Sequence, residues 1–258
     1  MSYPYKEEGK FKYYEIGNKD GEILVLLHGL MGSVENFPEV PQYFAKTHLV
    51  VLPILPIYDL SLHNVGLTGI LNHIVEFMDF KGFEKVHLVG NSLGGHIALM
   101  YTLAHPKRVI SMTLTGSSGL YESAMGNTFP KRGDYEFIKK KVQDTFYDPE
   151  SATKELIDTI FASVNDRNKA LRIVMASKSA VRHNLESELP KIKTPTLLIW
   201  GKNDAVTPPF VGEKFHEAIR NSKLVWMDKC GHAPMLEKPE EFNQILEDFL
   251  KSIVAEKV

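Results

Sequence analysis

Val86-His87-Leu88-Val89-Gly90-Asn91-Ser92-Leu93-Gly94-Gly95 is the stretch on which the reading of this chain turns. Val86 to Val89 is a short β-rich run. Leu93 to His105 is a small and apolar stretch, with Gly94, Gly95 and Ala98 near its start, and Pro106 ends it. The segment therefore reads as strand, tight turn and helix. Inside the turn, Gly90-Asn91-Ser92-Leu93-Gly94 fits G-x-S-x-G. A chain that passes from strand to helix so abruptly holds the central residue in strained backbone, and only small neighbours leave room for that. The serine hydroxyl is lifted clear of the C-terminal edge of the strand. It sits beside the free N–H groups and positive dipole end of the helix, a place that favours an anion. The bare pattern arises by chance in about one chain in ten of this length. Its specificity comes from the strand before it and the helix after it.

Outward from this turn the alternation continues. Ile23-Leu24-Val25-Leu26-Leu27 and His48-Leu49-Val50-Val51-Leu52 are unbroken apolar runs, as expected of strands covered on both faces, and Pro53 stops the second. Leu67 to Phe80 carries Ile70, Leu71, Ile74, Phe77 and Met78 at helical spacing, and Val109 to Thr115 is a further strand. From Gly116 to about Leu189 strand signals vanish. Helical stretches take their place at Tyr135 to Phe146, Ser151 to Val164 and Lys169 to Ser179. A strand resumes at Thr196 to Trp200, followed by a helix (Pro209 to Arg220), a strand (Lys223 to Met227) and a last helix (Pro239 to Ile253). Strands on both sides of the insert argue for one α/β sheet. Residues 1–116 and 190–258 form its core and 117–189 a helical insertion.

Composition narrows the function classes. The chain has 258 residues, with 30 Lys plus Arg against 32 Asp plus Glu, and is 43% hydrophobic. That excludes a disordered polymer, and a net charge of −2 leaves no electrostatic footprint for nucleic acid. The single cysteine, Cys230, permits no internal disulfide. Met1 to Lys12 is polar, unlike a signal peptide, and the longest apolar runs are far short of the ~20 residues of a membrane span. A soluble, cytoplasmic protein with no membrane partner is expected.

A serine at its ordinary pKa needs an imidazole to take its proton. Of ten histidines, His232 alone follows a strand directly within small residues, in Cys230-Gly231-His232-Ala233-Pro234. His28, in the His28-Gly29 turn after the first apolar run, reads as a structural residue holding its loop, and the others read as packing or surface. The imidazole in turn needs a carboxylate to fix its tautomer. Asp204, in Gly201-Lys202-Asn203-Asp204 after the strand ending at Trp200, is the candidate, with Asp228 its competitor. The order Ser92, Asp204, His232 accompanies a serine on this kind of elbow. Two N–H groups must hold the oxyanion: that of Leu93 at the helix start, and that of Leu30 in His28-Gly29-Leu30-Met31-Gly32.

Taken together, the His28-Gly29 loop, the Gly90 to Gly95 elbow, the Gly201 to Asp204 loop and Gly231-His232 resemble the α/β-hydrolase superfamily over nearly the whole chain. The resemblance implies an α/β-hydrolase fold: a mostly parallel eight-stranded sheet with helices on both faces, and a helical lid at 117–189. It implies no cofactor and no metal. Within the superfamily, Asn91, Asn36 in Gly32-Ser33-Val34-Glu35-Asn36, and Phe146-Tyr147-Asp148-Pro149 look like the meta-cleavage-product hydrolases, which cut a carbon–carbon bond in dienoic keto acids. On that likeness Asn36 and Asn91 are candidate substrate-binding residues. Two departures count against that branch. Ile160 stands where its lid arginine is looked for, and Ala233 follows His232 in place of a tryptophan. A keto-acid carboxylate buried without a cation is costly, so a small neutral ester is the preferred substrate, with Lys178 or Arg182 as the cations that would serve the alternative. Ser92 speaks against the aspartate-nucleophile branches, while perhydrolysis would use the same three residues. A non-catalytic ligand receptor on this fold is the competing class, and the complete set of reactive side chains argues for chemistry instead. Pro53-Ile54-Leu55-Pro56-Ile57-Tyr58 replaces a basic, glycine-rich loop of many relatives, a change with no evident mechanism in sequence.

Overall fold

The computed structural model describes residues 4–121 and 131–255. Eight strands form one sheet: β1 (Tyr5–Glu8), β2 (Phe11–Gly17), β3 (Glu22–Leu27), β4 (His48–Pro53), β5 (Val86–Asn91), β6 (Val109–Thr115), β7 (Thr196–Gly201) and β8 (Ser222–Met227). Their order is β1-β2-β4-β3-β5-β6-β7-β8. The β1–β2 and β2–β4 pairings are antiparallel and the rest parallel. The six parallel strands, β4, β3, β5, β6, β7 and β8, bring their C-terminal ends to one edge of the sheet.

Every residue of β5 and of β7 is buried. Their burial along the whole length reflects cover on both faces. Helix α1 (Val40–Phe44) packs on β2 and β4, α2 (Leu67–Phe80) packs against α3 (Leu93–Ala104), and α3 lies on β3, β5 and β6. Between β6 and β7 come α4 (Tyr135–Gln143), α5 (Lys154–Asn165) and α6 (Arg167–Arg182). Three side-chain caps start these helices, from Asp134, Thr153 and Asp166. Helix α7 (Pro209–Ala218) follows β7, and α8 (Pro234–Glu237) and α9 (Pro239–Ala255) end the described chain. Tyr13, Phe77, Trp200, Phe215 and Phe242 are fully buried in one continuous core. Each contributes about 2–3 kcal/mol by leaving water.

The fold agrees with the expectation from sequence, with one addition at the N-terminus. The polar stretch up to Lys12 hides the β1–β2 hairpin, which turns at Gly9 with φ 60°. Its charges are those of an edge: Glu15 on β2 pairs with Lys6 at 2.6 Å and with Lys81 at 2.6 Å. Of the expected insertion at 117–189, residues 122–130 lie outside the described residues. No described helix is long and apolar enough to cross a membrane.

Candidate active site

Ser92 stands between β5 and α3 with φ 54° and ψ −118°, one of two described residues other than glycine with positive φ. Backbone strain of this kind persists only where the surroundings over-determine it. Here Ser92 N–H donates to Thr115 O at 3.1 Å, and Ser92 O accepts from His96 N at 3.2 Å and Ser118 N at 3.2 Å. Gly94 is required by contact: a Cβ there would lie 2.1 Å from Leu27 O. The elbow is thus pressed onto the neighbouring strand end, as the spacing of small residues predicts.

His232 and Asp204 meet. His232 Nδ1 lies 2.9 Å from Asp204 Oδ2, with both side chains buried. A carboxylate only accepts, so Nδ1 carries a proton, and in the neutral ring this tautomer makes Nε2 the acceptor. Asp204 is itself fixed. Its Oδ1 accepts from Val206 N at 2.8 Å and Thr207 N at 2.9 Å, and its Oδ2 from Thr207 Oγ1 at 2.8 Å. Asp204 is thus a turn-forming aspartate and the partner of the imidazole at once. The ring sits beside Gly116, where a Cβ would approach Nδ1 to 2.7 Å. Asp228, the competing carboxylate, is exposed and pairs with Lys202 at 3.7 Å.

Ser92 and His232 line one cavity of about 830 Å³. No hydrogen bond joins the Ser92 hydroxyl to the imidazole, so the structure links two of the three expected partners directly and places the third on the same wall. Leu30 also lines the cavity; Leu93 does not, its side chain being fully buried in the core. Its N–H, the first of α3, has no partner within the helix.

The Leu30 peptide is oriented by His28. His28 Nδ1 lies 2.8 Å from Gly29 O, and Nε2 accepts from Leu55 N at 3.0 Å. Nδ1 therefore donates, and burial pushes the ring pKa down to about 4, which keeps it neutral. Gly32 N also donates to Gly29 O, at 3.1 Å. Across a trans peptide the N–H points opposite to the carbonyl, so Leu30 N–H is turned away from both donors. The Pro53–Tyr58 loop thereby gains a role that its sequence hides, since Leu55 supplies the donor to His28.

The two asparagines behave differently from a pair of ligand-binding side chains. Asn91, buried, donates through Nδ2 to Thr115 O at 3.1 Å and to His232 O at 3.2 Å, bracing the elbow against β6 and the histidine loop. Asn36 accepts from Ser33 N at 2.7 Å and closes the loop after Gly32. Both also line the cavity.

Sequence reasoning missed Thr207 and Glu237. Thr207, three residues after Asp204, has the spacing of a side-chain turn and was legible on that ground. Its Oγ1 also lies 3.3 Å from His232 Nδ1. The Glu237 carboxylate accepts from Gly231 N at 2.8 Å and Tyr147 N at 2.7 Å, and His232 N donates to Thr145 O at 2.8 Å. These three bonds clamp the helical insertion to the histidine loop. Burial holds the Glu237 carboxyl above the usual range, against backbone N–H groups that pull it down.

The remaining wall is largely apolar, through Val142, Phe146, Leu156, Ile160, Ile173 and Leu236, with Gln143, Asp144, Ser177 and Asn203 adding polar groups. Neither Lys178 nor Arg182, the cations expected to serve an anionic substrate, is part of the described lining. Lys141 is, but it is exposed, with its ammonium 5.9 Å from the Phe137 ring centroid.

Comparison with known proteins places this arrangement among relatives. Residues 24–245 match the model of a family described as "Alpha/beta hydrolase family". A 2-hydroxy-6-oxononadienedioate/2-hydroxy-6-oxononatrienedioate hydrolase of Pseudomonas putida is 31% identical, over 93% of this chain and 91% of the relative. Lipase 3 of a Moraxella strain is 28% identical, over 88% of this chain and 77% of the relative. Among solved structures, an alpha/beta hydrolase enzyme from the sediment metagenome of the Mar Chica lagoon, Morocco, is 44% identical. It superposes with a TM-score of 0.80, over 96% of this chain and 98% of that one.

Proposed function

This chain belongs to the alpha/beta hydrolase family, and from that premise we propose that it is a serine hydrolase cleaving small carboxylic esters through an acyl-enzyme on Ser92. The observation that carries the reading is the buried His232–Asp204 hydrogen bond beside a strained Ser92 on one cavity wall. Ser92 Oγ attacks the ester carbonyl carbon as His232 Nε2 takes its proton. Asp204 holds the imidazolium that forms. The N–H groups of Leu30 and Leu93 receive the oxyanion, the second with the dipole of α3 behind it. The tetrahedral intermediate collapses as His232 gives the proton to the leaving alkoxide. Water, deprotonated by the same nitrogen, then attacks the acyl-enzyme and releases the acid and free Ser92. Hydrogen bonds between nucleophile and base are often long before substrate is bound, so rotation of the serine hydroxyl onto Nε2 belongs to the formation of the reactive complex.

Residues 117–189 serve as a lid in this reading, since α4, α5 and α6 supply much of the apolar wall and Glu237 ties their connecting segment to the histidine loop. A largely apolar wall whose charged members are the solvated Lys141 and Asp144 favours a neutral substrate over an anion, because a carboxylate buried without a cation pays for its lost hydration. The names of the curated relatives favour a second reading, carbon–carbon hydrolysis of a dienoic keto acid.

A panel of nitrophenyl esters of graded acyl length, with a ring-fission dienoate beside it, separates the two. Each methylene buried against the wall is worth about 0.8 kcal/mol, so kcat/KM should rise by up to about fourfold per carbon until the cavity is filled. The dienoate should be the poorer substrate by at least ~100-fold, the cost of an unpaired buried charge. A dienoate turned over faster than every ester would replace this reading by the second.

A further inference from the structure

At the opposite edge of the sheet from Ser92, three strands carry a different cluster. Glu22 opens β3 and His48 opens β4, and the two are paired in register. His87, the second residue of β5, is paired with Leu24 of β3. Side chains alternate across a strand, and register partners share a face. Glu22, His48 and His87 therefore stand on one face of three adjacent strands, in the spatial order His48, Glu22, His87. One oxygen or nitrogen from each lies within 4.8 Å of those of the other two, and among the described residues this is the one such group of three.

The outer partners are in place as well. His87 Nδ1 lies 2.7 Å from the hydroxyl of Ser111, its register partner on β6. His48 Nδ1 lies 2.8 Å from Thr47 Oγ1. Each ring thus has its Nδ1 held by a hydroxyl, which can donate or accept and so suits either neutral tautomer. His87 Nε2 is 3.2 Å from Glu22 Oε2. Two ligands at ~2.0–2.1 Å from a tetrahedral zinc ion stand about 3.3–3.4 Å apart, so this pair already has the length of one edge of such a site. An imidazole whose second nitrogen is fixed by an outer hydrogen bond is the usual form of a metal-ligating histidine. An ion pair between His87 and Glu22 alone would ask nothing of His48 or of its Thr47 partner.

We propose that Glu22, His48 and His87 bind a divalent transition metal of the zinc type. His48 and His87 would ligate through Nε2 and Glu22 through its carboxylate, with water in the fourth position. Two imidazoles and one carboxylate suit zinc or cobalt better than calcium or magnesium, which prefer oxygen alone. On metal binding, His87 takes the tautomer with its proton on Nδ1, which donates a hydrogen bond to Ser111 Oγ and leaves Nε2 free for the metal. The ion ties together the N-terminal ends of β4, β3 and β5, the strands that at their other ends carry the loops around Ser92. It therefore acts as a staple of the sheet, remote from the hydrolytic chemistry.

The test uses untagged, chelator-treated protein titrated with cobalt(II). One cobalt per chain should bind, with visible absorption of tetrahedral intensity that zinc abolishes by displacement. Glu22→Gln and His48→Gln should each weaken binding by at least ~10-fold, while far-ultraviolet circular dichroism of the metal-free variants stays that of the parent. Zinc at about a hundredfold excess over the parent's Kd should raise the parent's Tm by roughly 5–10 °C and that of Glu22→Gln by no more than about half as much. Glu22 is exposed, so its conversion to glutamine keeps the test decisive if His48→Gln fails to fold. Absence of saturable cobalt binding, or binding of equal strength in both variants, would overturn the proposal.

Discussion

Ser92→Ala should reduce turnover of a short nitrophenyl ester by at least ~10³-fold, about 4 kcal/mol of transition-state stabilisation, with little change in folding. The substitution removes one hydroxyl that makes no hydrogen bond in the structure and disturbs none of the backbone bonds that hold the elbow, namely those from Ser92 N to Thr115 O and from His96 N and Ser118 N to Ser92 O. What alanine retains is the anion pocket and the apolar wall, which account for the residual rate. The loss should fall on kcat more than on KM, because the hydroxyl acts in the transition state rather than in holding the ground-state ester. Thr207→Val is a useful contrast. It strips one donor from Asp204 Oδ2 but leaves the two backbone donors on Oδ1, so a smaller loss than that of Ser92→Ala is expected.

Acid should unfold this protein well before its carboxylates are neutralised. His28 and His96 are both buried, and burial pushes each ring down from 6.5 to about 4. In the unfolded chain both return to the ordinary value of ~6.5. Between these two values the unfolded state binds more protons than the folded one, so stability is lost as pH falls through that window and no further loss from these rings follows below about 4. Each ring contributes a loss of about 3 kcal/mol, and the two together roughly 6 kcal/mol. The whole stability of a domain is about 5–15 kcal/mol, so the effect is large enough to decide whether the chain is folded. His48 and His73, lowered by the same cause, act in the same direction. Urea unfolding at pH 7 and at pH 4.5 should show the midpoint fall steeply. His96→Phe should lessen the slope of stability against pH even though it sacrifices the bond from His96 Nε2 to His183 O at 2.9 Å. An unfolding free energy that stays level from pH 7 to pH 4.5 would contradict the neutral buried rings.

Much of this architecture was legible because the central strands lie under helices on both faces and so had to be written as unbroken apolar runs. The elbow was legible for a steric reason: Gly94 must touch Leu27 O, and no larger residue fits. Asp204 and His232 could be found because loops at strand ends have short, recognisable surroundings. Less could be read where a function rests on partners distant in sequence. The clamp from Glu237 to Tyr147 spans ninety residues, and the bond from Leu55 to His28 spans twenty-seven. Lys141 was overlooked in favour of Lys178 and Arg182 because helical spacing gives no hint of which turn of the insertion faces the cavity. Hairpin β1–β2 went unread since an edge strand faces water and carries the lysines and glutamates of a surface. His87 reads as packing or surface and His48 as the start of a strand, because only the register of three strands brings them to Glu22.

The most direct test is reaction of the intact protein with a fluorophosphonate, followed by whole-chain mass and peptide mapping. One adduct per chain is predicted, on the peptide containing Ser92, with loss of ester turnover in proportion to labelling and no adduct on Ser92→Ala. A protein that gains no adduct while hydrolysing esters, or one whose adduct maps to a different side chain, would contradict Ser92 as the nucleophile and with it the whole assignment of the site.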